Sequence, residues 1–210
     1  MTGVQTCALP ILSRLESTMV ELCMDLDCED YKGFLTGKGN FRIDIAKTVP
    51  YKGTRPTEKP VHLQALREHL VSSWGFVIVD GIEADDAVGI AAYAVPEDET
   101  IMVHIDKDLN QFRGWHYNYR KKDKYYVSEF EGWYNFYLQI LTGDRIDNIE
   151  GLKGIGPAKG AKLLKDCKTV EQLYDAVMYA YEGDSERVLE NGQLLYLQRK
   201  EGDVWQPPQR

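Results

Sequence analysis

The sequence predicts an α/β core with a mostly parallel central sheet flanked by helices, followed by a largely helical C-terminal module. Three observations carry this reading. Short apolar runs alternate with helical patterns between residues 60 and 106. Acidic clusters follow those runs directly, and from residue 130 onward the pattern is mostly helical.

Taken in order, residues 1–12 show no periodicity and lead into no strand. Their wording, MTGVQTCALPI, resembles translated sequencing-adapter sequence. Residues 1–13 therefore read as extraneous or disordered, 14–143 as the α/β core and 144–210 as the C-terminal module. Leu63, Leu66, Leu70 and Trp74 recur at helical spacing, and Gly75 stops that helix. FVIVD (76–80) is an apolar run between glycines, the pattern of a buried strand. EADDAVGIAAYAV (83–95) returns to helix, with small residues suited to close packing. TIMVHID (100–106) is a second buried strand. Residues 115–119 and 124–128 form a hairpin around the polar turn RKKD.

Composition narrows the classes. The chain has 210 residues, 43% of them hydrophobic and 28% charged, as in an ordinary globular protein. No apolar run approaches the roughly 18 residues of a membrane span, and the start lacks the basic flank of a secretory signal. Cys7, Cys23, Cys28 and Cys167 fit neither a CxxC zinc site nor a disulfide framework, so they read as reduced thiols of a cytoplasmic protein. A net charge of −8 weighs against a nucleic-acid partner when taken globally. Seven carboxylates, however, are concentrated in three places, and bound cations would invert the local sign.

The clusters are Glu83, Asp85 and Asp86; Asp106 and Asp108; and Asp144 and Asp147. The first two fall at the C-terminal ends of expected strands, where α/β sheets place their chemistry. Glu83 with Asp86, and Asp144 with Asp147, stand three apart and share a face on a helix. Hard oxygen donors suit Mg²⁺ or Mn²⁺, and crowded like charges repel until a cation compensates them. Any one cluster could equally cap a helix or complement its dipole. Together they imply a pair of divalent ions able to activate water in phosphodiester hydrolysis.

Directly after GDRIDN comes GLKGIGPAKGAKLL. Gly154 and Gly156 permit a tight turn that exposes N–H groups, and Pro157 suits the first turn of the next helix. Lys159 and Lys162 lie near the start of that helix, whose positive dipole end faces the turn. The device suits a phosphate backbone, gripping without reading bases. A plain helix–turn–helix connection with solvated lysines is the alternative.

GKGNFRIDIAKTVPYKGTR, GIEADDAVG, HIDKDL and TGDRIDNIEGLKGIGPAKGAKLL together resemble the flap endonuclease and 5′–3′ exonuclease family, most closely its bacteriophage branch. The resemblance covers residues 31–205. It implies a PIN-like 5′-nuclease core, two Mg²⁺ ions for which Mn²⁺ can substitute, and a helix–three-turn–helix motif that binds duplex DNA and often K⁺. By position, Glu83, Asp85, Asp86, Asp106 and Asp108 would be ligands, with Asp144 and Asp147 completing the second metal's surroundings. Tyr51 would stack on a base at the cleavage point, Lys52 would steady the scissile phosphate and Arg55 would assist. The substrate would be duplex DNA with a 5′ end or flap, and the protein a monomer in a bacterial or phage-infected cell.

Two departures stand out. The aspartate-bearing first strand of the family has no counterpart before residue 31, and Leu35 stands where several members have a ligating aspartate. The competing reading is thus a chain that binds branched DNA without cutting it. A PIN-type ribonuclease is a third reading, which the glycine turn disfavours. The stretch 113–126, basic and aromatic, reads as either a DNA-facing surface or a solvated hairpin. His62, His69, His104 and His116 read as isolated.

Overall fold

The computed structural model describes residues 3–28, 30–55 and 58–209, with the side chains of residues 3–8 outside the description. In chain order the first elements are α1 (Gly3–Leu26), β1 (Phe34–Thr36), α2 (Arg42–Ile45), α3 (Leu63–Trp74), β2 (Val77–Val79) and α4 (Ala84–Tyr93). Then come β3 (Ile101–His104), a 3-10 turn (Lys107–Gln111), β4 (Gly114–Asn118), β5 (Asp123–Val127) and α5 (Glu129–Thr142). The chain closes with β6 (Gly143–Asp144), β7 (Ile149–Glu150), α6 (Pro157–Leu164), α7 (Val170–Ala180) and α8 (Ser185–Leu195).

These elements form two compact units. One comprises the described residues up to Lys38 together with those from 58 to Ala84; the other comprises Gly39–Arg55 and the chain from Asp85. The division expected at Asp144 is therefore not the boundary between units, because α5 and α6–α8 share one core. Residues 1–2 lie outside the description. From Gly3 the chain forms the start of α1.

In the first unit β1 and β2 pair in parallel, Leu35 opposite Ile78. Gly75 ends α3 in the left-handed conformation, its N–H donating to the Leu70 carbonyl, as the sequence predicts. Beyond β1, the Lys38 N–H donates to Asp80 Oδ1 at 2.6 Å. The Thr36 hydroxyl accepts the Ala84 N–H at 2.9 Å, satisfying a free donor at the start of α4.

In the second unit β3 pairs in parallel with β4, and β4 pairs antiparallel with β5. The predicted hairpin forms with Trp115 opposite Tyr126. α5 is the hub of the core. Ser128 and Glu131 close a capping box at its start, and Phe136, Tyr137, Ile140 and Leu141 are fully buried against α6, α7 and α8. Thr169 and Asp184 cap α7 and α8.

Two expectations need correction. Among the described residues there is no single parallel sheet: β1–β2 and β3–β4 are parallel pairs in separate sheets, and the other two pairings are antiparallel. Nor is the run 76–80 buried. β2 pairs only with β1 among the described residues, which leaves Val77 and Ile78 half exposed. β3 alternates instead, with Met102 and His104 inward and Val103 outward.

Three of the histidines are not isolated. His104 and His116 are buried and stand 2.7 Å apart, Nε2 to Nδ1. His116 also meets the Phe112 carbonyl at 3.1 Å and stacks on Tyr125. In the first unit, His69 pairs with Glu16.

Candidate metal and phosphate site

The second unit brings YKGTR onto GDRIDN, stretches more than ninety residues apart in the chain. Asp147 is the meeting point. Its Oδ2 accepts the Tyr51 hydroxyl at 2.9 Å, and its Oδ1 accepts from the Arg55 guanidinium at 2.6 Å. Lys52 Nζ stands 3.6 Å from Oδ2, and the Lys52 N–H donates to the Asp147 carbonyl at 2.8 Å. To make that turn Lys52 adopts φ +56°, a left-handed conformation costing an L-residue about 1 kcal/mol. Asn148 adds a bond to the Pro50 carbonyl at 2.8 Å. Two cations thus gather where the sequence offers only a short basic run.

Tyr51 is buried in this arrangement. Its ring is 9% exposed within the α5 core, with Lys52 Nζ 4.9 Å from the ring centroid. Its hydroxyl orients Asp147.

Asp144 is buried beside this loop, its Oδ1 accepting the N–H groups of Ile146 and Asp147 at 2.7 and 3.2 Å. Asp106 follows β3, and its Oδ1 accepts the Asp108 N–H at 3.0 Å, capping the 3-10 turn. Asp108 therefore leaves a helical turn, where the sequence predicts a continuing strand end. Burial, then repulsion from Asp106, Asp144 and Asp147, pushes the Asp108 carboxyl up to about 7. That repulsion places the four acids in one electrostatic neighbourhood. Yet among the described residues no three His, Cys, Asp or Glu side chains stand close enough to share an ion. The acids are near enough to repel and not drawn into a ligand shell. The donor set, all carboxylate, fits a hard divalent cation.

Three further acids stand differently. Asp86 is fully buried, and both its oxygens accept from Arg42, at 2.7 and 2.8 Å. Oδ1 also accepts the Gln198 N–H at 3.0 Å. Arg42 completes its donors on the carbonyls of Leu194 and Tyr196. The carboxylate that the sequence offers as a ligand is here half of a buried ion pair. Asp85 is half-buried on the first turn of α4, and Glu83 belongs to the first unit.

The glycine turn has the predicted form. Gly143 and Gly151 cross with no room for side chains: a Cβ on Gly143 would lie 2.3 Å from the Gly151 nitrogen. Gly154 is left-handed at φ +77°, Gly156 precedes α6, and Pro157 opens it. Lys162 is exposed. The Lys159 ammonium donates to the Gly154 carbonyl at 3.0 Å, so it braces the turn in addition to charging it.

Residues absent from the sequence reading support the acids. Gln139, on α5, donates its amide to Asp108, and Gln111 donates to the Gln139 oxygen at 2.6 Å and to the Leu195 carbonyl at 2.9 Å. A glutamine inside a helical pattern carries no signal of its partner; only the fold reveals it.

No protein-family model matches the chain. Among curated proteins it is 29% identical over 162 residues to flap endonuclease Xni of Shewanella sp. (strain W3-18-1), covering 71% of this chain and 62% of that protein. It is 31% identical over 163 residues to DNA polymerase I of Deinococcus radiodurans, covering 70% of this chain and 15% of that one. Bacteriophage T5 5′-exonuclease with bound zinc superposes with a TM-score of 0.65 at 18% identity, over 89% of this chain and 81% of its own. In sequence and in fold, this chain resembles the 5′–3′ exonucleases and flap endonucleases. Its match spans about three fifths of the Xni proteins. The likeness to the T5 protein establishes the mixed α/β fold. A further structure of the T5 flap endonuclease, with a TM-score of 0.61 at 17% identity over 88% of this chain and 80% of its own, holds DNA and metal ions as a pseudo-enzyme-product complex.

Proposed function

We propose that this chain carries a metal-dependent 5′-nuclease activity on DNA, removing nucleotides or flaps from a 5′ end. One observation supports the reading above the others: a basic loop, Lys52 and Arg55, is seated on Asp147, in the same unit as the acids Asp106, Asp108 and Asp144. Asp106, Asp108, Asp144 and Asp147, with Asp85, would hold two Mg²⁺ ions, for which Mn²⁺ can substitute. Bound there, the metals would supply a water nucleophile and charge stabilisation for the leaving oxygen.

The chain's own residues do the rest. Lys52, part-buried, and Arg55, exposed, offer a negative phosphate two cationic donors, and at the part-buried lysine charge stabilisation outweighs its value in water. Tyr51 holds Asp147 in place. Gln139 holds Asp108. The turn at Gly154 and Gly156, with Lys159 and Lys162 on α6, would grip duplex phosphates away from the cut, with K⁺ as a candidate ion in the turn.

The test uses a 5′-flap duplex with Mg²⁺ and then with EDTA. We expect metal-dependent release of short 5′ products. Asp144→Ala should lower cleavage by about 10²-fold or more while leaving DNA binding close to wild type. Cleavage by Asp144→Ala at the wild-type rate would remove that residue from the site. A second reading, DNA binding without cutting, draws on the absence of a converged triad among the described acids. A retained gel shift with no cleavage in Mg²⁺ or Mn²⁺ would favour it.

A further inference from the structure

α8 carries a polar face that touches both halves of the candidate site. Arg187, Glu190 and Asn191 lie three and four residues apart, on one side of the helix. Arg187 and Asn191 each donate to the Glu150 carbonyl at 2.8 Å, at the entrance to the glycine turn. Glu190 faces the other way along the same side. Its Oε1 accepts the N–H groups of Lys47 and Thr48, both at 2.7 Å. Its Oε2 accepts the Thr48 hydroxyl at 2.6 Å and stands 3.4 Å from Arg187.

Glu190 is buried, so these bonds are shielded from water and costly to leave unmade. Burial alone would raise its carboxyl; the Thr48 hydroxyl and N–H, the Lys47 N–H and Arg187 together hold it below the usual range. Residues 47–50 lie in no helix or strand. They lead within three residues to Tyr51 and Lys52.

We infer that Glu190 is the positioning residue of the YKGTR loop: from α8 it fixes residues 47–48 so that Lys52 and Arg55 stay against Asp147. The catalytic half of this inference rests on the nuclease reading; the loop-holding half does not. A basic loop freed by a small displacement loses its alignment on a phosphate, and a misplacement of about 1 Å far from the chemistry can cost about 10²-fold. Glu190 touches none of the reacting groups, so its removal should lower kcat with little change in KM.

Two measurements test this on the intact chain. Amide hydrogen exchange across residues 47–55 should accelerate at least about tenfold in Glu190→Ala, with α5 amides unchanged. On the flap duplex with Mg²⁺, kcat should fall by roughly tenfold with KM within about twofold. Glu190→Gln keeps an oxygen for the two N–H groups and should recover most of both effects. Thr48→Val removes only the hydroxyl bond and should lower kcat about two- to threefold, which keeps the test valid should Glu190→Ala fold poorly. Unchanged exchange at 47–55 in both Glu190→Ala and Thr48→Val would overturn the loop-holding role. Faster exchange with wild-type kcat would overturn the catalytic role. If the wild-type chain cuts no DNA, the nuclease reading falls together with that catalytic role, while exchange still decides what holds the loop.

Discussion

The first unit pairs two three-residue strands and two helices, and none of its described residues is buried; the second buries Phe136, Tyr137, Ile140 and Leu141 completely around a single helix. Val77 and Ile78, on β2, are 54% and 50% exposed, whereas Phe136 is 0% exposed. Hydrophobic stabilisation scales with the area removed from water, so the two units differ in what holds them. The Asp147 neighbourhood, with the loop docked on it and the glycine turn beyond it, belongs entirely to the well-packed unit. A site that must hold carboxylates and cations within a fraction of an ångström needs that stiffness.

The largest difference should appear in paired truncations. Phe136→Ala opens a cavity at the hub of the core and should destabilise by about 3–5 kcal/mol, whereas Val77→Ala should cost under about 0.5 kcal/mol. Urea unfolding of both variants decides it. Equal losses would show that β2 is buried by something beyond its described partners, and the contrast between the units would collapse.

Nearly as large is the effect expected at the buried ion pair. Arg42→Met strands the Asp86 charge and should cost about 3–5 kcal/mol. Combining it with Asp86→Leu should recover much of that loss, to within about 2 kcal/mol of wild type, the remainder reflecting the orphaned Leu194 and Tyr196 carbonyls. Additive losses in the double variant would mean that Asp86 contributes through something other than Arg42, and a ligand role would regain its appeal.

The smallest effect sharpens the comparison by pH. Burial pushes His116 down to about 4 from its usual 6.5, although the Phe112 carbonyl opposes the shift. The unfolded chain therefore takes up this proton first, and the stability contributed by neutral His116 is lost as pH falls from about 6.5 toward 4. Asp108, pushed up to about 7, acts in the opposite sense, but it is common to both proteins and cancels in a difference. The urea midpoint should fall more between pH 7 and pH 5 in wild type than in His116→Gln. Parallel midpoints would show that His116 is not held neutral.

Some of this was legible in the residues themselves. Helix α3 and its Gly75 stop, the β4–β5 hairpin, and the turn from Gly151 to Pro157 follow from local spacing and from φ values that only certain residues tolerate. Local rules also grouped the acids into three clusters. They could not say which carboxylate faces an arginine, because Asp85 and Asp86 are neighbours with the same chemistry. Arg42, which donates to both Asp86 oxygens, lies 44 residues away, and Gln198, which donates to Oδ1, 112 away.

The sequence by itself determined the alternation of strand and helix and the mostly helical pattern after residue 130, and it named the candidates for metal and phosphate chemistry, since each depends on spacing within a few residues. The tertiary structure decided the rest: that Tyr51, Lys52 and Arg55 converge on Asp147, that Asp86 pairs with Arg42, that Gln139 bonds Asp108 and Glu190 bonds the loop at Lys47 and Thr48, and that β2 pairs only with β1 among the described residues. These depend on long-range packing around α5 and α8. Burial and pairing across such distances are properties of the assembled core, and no window of the sequence contains them.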